Sequence, residues 1–174
     1  MWITPDCCAT DLTALSIPTL WEEGIRGLLL DLDNTLIPNH PAHPQVGQLP
    51  TLIGQWLTQA QFVGMKAACV TNNKHLHYCQ QMEQQLGIPL IPEAQKPWGH
   101  GLSQGLRQLD LPPKQVAVIG DRPSTDGLGA HWLGCRYVAV TSLSYAYEPW
   151  LYHCLRGLEH SLLKAPTHPH WTIT

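Results

Sequence analysis

The chain has no C-x-x-C pair, no internal repeat, no low-complexity tract and no cluster of basic residues. Each absence removes a class of function. Its six cysteines, Cys7, Cys8, Cys69, Cys79, Cys135 and Cys154, do not have the spacing of a zinc ribbon. Ten Lys and Arg stand against thirteen Asp and Glu, a net charge of −3. Nucleic-acid binding needs clustered positive charge, so no nucleic-acid partner is expected. No stretch reaches the roughly 18–20 apolar residues of a spanning helix. The opening Met1-Trp2-Ile3-Thr4-Pro5-Asp6 offers neither a basic nor an apolar signal region. The expectation is a cytoplasmic chain with reduced thiols. Cys69, set in Ala67-Ala68-Cys69-Val70, reads as a small buried hydrophobe.

What is present suits one domain: 174 residues, 44% of them hydrophobic. We read residues 1–174 as a single unit, with a core over about 17–163 and a frayed tail beyond it. A short helical segment is expected over Thr10–Leu15, and a second opens at Pro18, since proline is tolerated in a first turn. The run Ile25 to Asp31 is almost continuously apolar, as in a strand buried on both faces. Helices at 3.6-residue spacing are predicted over Leu52–Gln61, His75–Leu86, Trp98–Leu109 and Asp126–Leu133. Strands fall between them at Met65–Val70, Ile88–Ile91, Val116–Ile119 and Arg136–Val140. Trp150–Leu163 reads as an amphipathic helix whose stripe Leu151, Leu155, Leu158 and Leu162 is expected to pack on the sheet. Alternating strands and helices imply an α/β fold, a three-layer doubly wound parallel sheet. Ligands then bind beyond the carboxyl ends of the strands.

Those ends carry the reactive side chains. The first is Asp31-Leu32-Asp33-Asn34-Thr35, two carboxylates delivered by an apolar run. Such a pair is either an Asx-type turn after a strand or a reactive pair, in which a cation keeps one carboxylate ionised and the close spacing separates the two acidities into one nucleophile and one acid/base. Thr35 can hydrogen-bond within the turn and hold it rigid. The second end, Thr71-Asn72-Asn73, places a hydroxyl and following amides where a phosphate is cradled, or where a helix is capped. The third brings Lys96, a point charge for a phosphate or a surface lysine. The fourth, Gly120-Asp121 with Asp126 one helical turn on, supplies carboxylates of the kind that hold magnesium, or that cap a helix. Together they provide the parts of phosphoryl transfer.

This ordered set resembles the haloacid dehalogenase superfamily. Asp31 and Asp33 match its first motif, Thr71 its second, Lys96 its third, and Asp121 with Asp126 its fourth. Gly24-Ile25, Asp31 to Leu36, Thr71-Asn72-Asn73, Ala94-Gln95-Lys96-Pro97 and Gly120-Asp121…Thr125-Asp126 look most like its phosphatidylglycerophosphatase-like, YqeG-type group. Arg122 and Gly127 depart from that group, which tends to carry Gln and an aliphatic residue there. The resemblance implies a magnesium-dependent phosphatase with catalytic Asp31, Asp33 and Lys96. It implies phosphate binding by Thr71, Asn72 and Lys96, and metal held by Asp31, the Asp33 carbonyl and Asp121 with Asp126 in support. Thr35 and Gly120 are supporting residues. The intervals Thr35–Thr71 and Thr71–Lys96 are too short for a cap domain, so the fold is expected capless. An open cleft suits a bulky phosphomonoester, and the resemblance favours a lipid headgroup, with peripheral membrane association. The alternative is a non-catalytic magnesium and phosphate binder of the same fold. The pairs His40/His43 and His168/His170 lack a third ligand and are not assigned to zinc.

Overall fold

The computed structural model describes residues 3–98, 100–161 and 163–172. Six strands form one sheet: β1 Cys7–Ala9, β2 Gly27–Leu30, β3 Lys66–Val70, β4 Leu90–Ile91, β5 Val116–Gly120 and β6 Arg136–Val140. Every pairing is parallel, and the order is β1-β6-β5-β2-β3-β4. The run before Asp31 becomes β2, fully buried along its length, because it sits centrally with a neighbour on each side.

Register decides where the polar residues emerge. Leu30 stands opposite Cys69 of β3 and Ile119 of β5. Three strands therefore end level, and Asp31, Thr71 and Asp121 leave the sheet at one edge.

Helices cover both faces. On one, Leu28, Leu30 and Ile119 share a core with α1 (Ile17–Glu22), α2 (Thr51–Phe62) and α3 (Leu76–Leu86). On the other, Leu29, Val70 and Val118 share one with α4 (Gly101–Leu109) and α5 (Leu128–Leu133). Local chemistry sets the helix ends. Ser16 caps α1 through the Thr19 amide at 3.3 Å, with Pro18 in the first turn. Gly87 closes α3 at φ +63°, a left-handed conformation cheap for glycine. The interval 36–50 is irregular loop, and no cap domain forms among the described residues.

The structure adds one element and corrects four expectations: the starts of two helices, the tail and the packing of the last helix. The N-terminus contributes an edge strand, β1, which has too few residues to show a period. The helix expected from Trp98 begins at Gly101, and the one expected from Asp126 is preceded by a π-turn, Pro123–Gly127. The segment read as a frayed tail is docked: Pro169–Trp171 forms a 3-10 turn, and Trp171 is fully buried beside Leu12 and Leu15. The Ser16 amide donates to the Trp171 carbonyl at 2.7 Å and so ties this turn to the start of α1.

The fourth concerns α6 (Trp150–Ser161). Its leucines do not pack on the sheet: Leu151, Leu155 and Leu158 are exposed, as are Trp150 and Tyr152. Both faces of the sheet are already filled by α1 to α5, so α6 crosses the carboxyl edge instead. Leu162 lies outside the described residues. Arg156 is the buried side chain of α6 among the described residues.

Candidate active site

The strand-end residues converge as the register requires. Lys96 Nζ lies 2.5 Å from Asp31 Oδ1 and 2.6 Å from Asp126 Oδ1, and its side chain is 2% exposed. A buried ammonium is tolerable only with such partners. Burial alone would lower its pKa, but Asp126 and Asp31 outweigh that and raise it. The lysine is fixed at its backbone by Asn72. The Asn72 carboxamide accepts from the Lys96 amide at 2.7 Å and donates to the Lys96 carbonyl at 3.2 Å.

Asp121 and Asp126 descend from β5. Thr35 Oγ1 accepts the Asp121 amide at 3.1 Å, so the turn after β2 is bonded to the end of β5. Gly120 has a steric reason. A Cβ there would sit 2.3 Å from Asp126 Cγ and Oδ2, so only glycine lets this carboxylate close on the cluster. Burial, then the charge of Asp31, pushes Asp121 up to about 7 despite Arg156. Burial also pushes Asp126 up to about 6, against the pull of Lys96.

Asp31, Asp121 and Asp126 each offer one carboxylate oxygen, and these lie within 4.8 Å of one another. An all-oxygen set suits a hard divalent ion. A divalent cation would also favour the ionised forms of Asp121 and Asp126, whose charges burial disfavours. The residues present fit a magnesium-type ion.

The carboxylate of Asp33 is not in that group. It accepts from Asn73 Nδ2 at 3.0 Å, Tyr78 OH at 3.2 Å and Thr71 Oγ1 at 3.4 Å. Thr71 is not the helix cap, since α3 starts at Leu76. Its hydroxyl instead accepts the Asn73 amide at 3.0 Å. Asn72, expected at a phosphate, spends its side chain on Lys96.

The site opens into a cleft of about 430 Å³. Asn39 and His40 border it from the 36–50 loop, and Tyr152, Leu155 and Arg156 border it from α6. His43 stacks edge-on against Tyr147, ring centroids 4.9 Å apart, so the loop rests on the turn before α6. Sequence reasoning missed Tyr78, Glu148 and Arg156. Tyr78 could have been found, because the first turn of α3 follows the Thr71 loop and faces the strand ends. Nothing in the sequence separates Arg156 from a solvated arginine.

Residues 1–142 match the family described as Mitochondrial PGP phosphatase. Probable phosphatase YqeG of Bacillus subtilis (strain 168) is 28% identical over 161 residues, covering 92% of this chain and 90% of the relative. Phosphatidylglycerophosphate phosphatase 1, chloroplastic/mitochondrial, of Arabidopsis thaliana is 24% identical over 170 residues, covering 94% of this chain and 48% of the relative. The chain thus spans about half of that plant protein. Among solved structures, the cobalt-bound deoxy-D-mannose-octulosonate 8-phosphate phosphatase of Haemophilus influenzae aligns with a TM-score of 0.52 at 13% identity, covering 80% of this chain and 90% of the other, which is a likeness of fold. The match over residues 1–142 takes in every strand and every strand-end residue of the cluster, and the chain belongs to the Mitochondrial PGP phosphatase family, as a phosphatase of the haloacid dehalogenase type.

Proposed function

We propose that this phosphatase hydrolyses a bulky phosphomonoester, phosphatidylglycerophosphate being the favoured substrate, by way of an aspartyl-phosphate, an acyl phosphate on Asp31. The observation that carries the reading is the pairing of Asp31 with buried Lys96 at 2.5 Å, inside a cluster of three carboxylates. Lys96 pairs with Asp31 and holds its carboxylate in place, as an aimed nucleophile requires. In the first step Asp31 attacks phosphorus while Asp33 gives its proton to the departing alkoxide. In the second, Asp33 takes a proton from water, which attacks the phosphorus and frees Asp31. Asp33 is held by Tyr78 and Asn73, so its orientation survives both steps. Thr71 and the main chain at Asn72 receive the phosphate oxygens. Magnesium would be held by Asp31, Asp121 and the Asp33 carbonyl, with Asp126 in support. When bound it supplies positive charge to the phosphate and the reacting oxygens.

Two features support a lipid. The exposed Trp150, Leu151, Tyr152, Leu155 and Leu158 belong to the helix that borders the cleft. Tyr145 and Tyr147, also exposed, precede it. Amphipathic aromatics beside leucines suit a bilayer surface. No described helix is long and apolar enough to cross a membrane, so contact would be peripheral. The relatives named as phosphatidylglycerophosphate phosphatases favour the same headgroup. The test is kcat/KM for phosphatidylglycerophosphate in mixed micelles against soluble sugar phosphates and nucleotides, with and without magnesium. The lipid should be the best substrate. A soluble ester turned over markedly better would overturn the lipid assignment, and full activity in excess chelator would overturn the metal.

A further inference from the structure

Arg156 sits at the far side of the cluster from Lys96, on a helix outside the part of the chain that matches the family. Its guanidinium makes two contacts with one residue. Nη2 lies 2.7 Å from Asp121 Oδ2, and Nη1 donates to the Asp121 carbonyl at 3.1 Å. The opposite edge of the same guanidinium is held by Glu148, with Nε 2.6 Å from Oε2 and Nη2 2.7 Å from Oε1. Ser142, just beyond β6, donates to Glu148 Oε1 at 2.8 Å. A line of bonds thus runs from Ser142 through Glu148 and Arg156 to Asp121. The side chains of Arg156, Glu148 and Asp121 are 10%, 6% and 3% exposed, so water contributes little to any of them.

A guanidinium that donates to the Asp121 carbonyl and pairs by charge with Oδ2, a buried oxygen with no hydrogen-bond donor among the described residues, fixes where the residue is and which way its carboxylate is drawn. Asp121 Oδ2 faces the guanidinium, so Arg156 determines how the carboxylate is presented to the Asp31 and Asp126 oxygens within 4.8 Å. We infer that Arg156, seated by Glu148, is a positioning residue that sets the affinity of the Asp31–Asp121–Asp126 site for a divalent cation. It carries α6 into the metal centre, although the helix turns its leucines outward. The inference rests on the proposed role of that cluster in holding magnesium.

α6 has a second anchor, which supplies the control. Glu159 Oε1 lies 2.8 Å from Arg122 Nη2 and accepts from Ser124 Oγ at 2.6 Å. Glu159 therefore helps to dock the same helix, and its recorded partners do not include Asp121. The experiment is calorimetric titration of the purified, substrate-free protein with MgCl2, for wild type, Arg156→Gln, Arg156→Lys, Glu148→Gln and Glu159→Gln, each first shown to be folded by its melting curve. Loss of a partner that orients a metal ligand costs on the order of 10–100-fold in affinity. Arg156→Gln should weaken the magnesium Kd by about tenfold or more. Arg156→Lys should recover only part of this, since an ammonium lacks the planar fork that meets Asp121 on one edge and Glu148 on the other. Glu148→Gln should fall between, and Glu159→Gln should bind as wild type does. If Arg156→Gln does not fold, Glu148→Gln, which leaves the arginine in place, decides the matter by the same criterion. A Kd within twofold of wild type in folded Arg156→Gln, or in Glu148→Gln where that variant decides, overturns the inference, as does tighter binding. An equal loss in Glu159→Gln also overturns it, because helix docking alone would then be responsible. A wild-type protein that binds no divalent ion overturns the metal reading itself and this inference with it.

Discussion

Replacing Lys96 with methionine removes the one charge that both Asp31 and Asp126 contact, while nearly preserving side-chain length. Removing one partner of a buried ion pair costs about 3–5 kcal/mol, because the other charge is left uncompensated. The two carboxylates do not share that cost equally. The Asp31 side chain is 12% exposed and keeps some water, whereas that of Asp126 is 1% exposed. Asp126 retains the Arg122 amide and Thr125 Oγ1 on its other oxygen, both at 3.3 Å. We therefore expect the lower end, about 3 kcal/mol at pH 8. A chain of this size loses about 2–4 °C of Tm per kcal/mol, so the variant should melt roughly 6–12 °C below wild type. The loss should depend on pH. Asp121 and Asp126 already have folded-state pKa values raised to about 7 and about 6, mainly by burial. A carboxylate raised in this way is most favourable to folding at low pH, and that advantage is lost as pH rises through the folded value. Without Lys96 the Asp126 value moves higher still, so at pH 5.5 that acid takes up a proton in place of the missing cation. The lysine's own raised pKa leaves it charged throughout this range. The gap between wild type and Lys96→Met should then narrow from pH 8 to pH 5.5, and saturating magnesium should narrow it at pH 8. Differential scanning fluorimetry across pH measures this. A variant melting within about 2 °C of wild type at pH 8, or a gap that widens on acidification, would refute the electrostatic account.

Three further outcomes follow from the geometry. Gly120→Ala sets a methyl 2.3 Å from the Asp126 carboxylate, and should cost about 1–3 kcal/mol of stability and most of the activity, read by melting curves and aryl phosphate turnover. If magnesium is held as proposed, it competes with a proton on Asp121, which burial pushes up to about 7, so its apparent affinity should fall about tenfold between pH 8 and pH 6 in calorimetric titrations, with proton release on binding. Trp171→Ala removes a fully buried ring from the core, and should destabilise by about 3–5 kcal/mol in urea melts, whereas a frayed tail would give no change.

The parts legible in the sequence are those that local chemistry determines. The apolar run before Asp31 suits a central strand, and the alternation after it implies a parallel sheet. In such a sheet the polar residues after β2, β3 and β5 must meet, as Asp31, Thr71 and Asp121 do. The parts that were not legible depend on what else competes for a surface. The leucine stripe of α6 shows that the helix is amphipathic, but not that the sheet's two faces are already occupied. Arg156 looks the same in sequence whether solvated or buried against Asp121, because its partners Glu148 and Asp121 come from different turns of the fold. Trp171 follows prolines and carries no period, so its place beside Leu12 and Leu15 appears only once the chain has closed. Asn72 was placed at a phosphate because its amide follows a strand, and its side chain serves the site in another way, by fixing Lys96.

The measurement closest to the centre of the account is the steady-state turnover of Asp31→Asn. The amide is near-isosteric with the carboxylate, and cannot attack phosphorus. The account requires turnover to collapse to the background set by deamidation, while the melting curve and the binding of inorganic phosphate persist. Activity within about tenfold of wild type, above that background, would contradict it and remove Asp31 from the role of nucleophile.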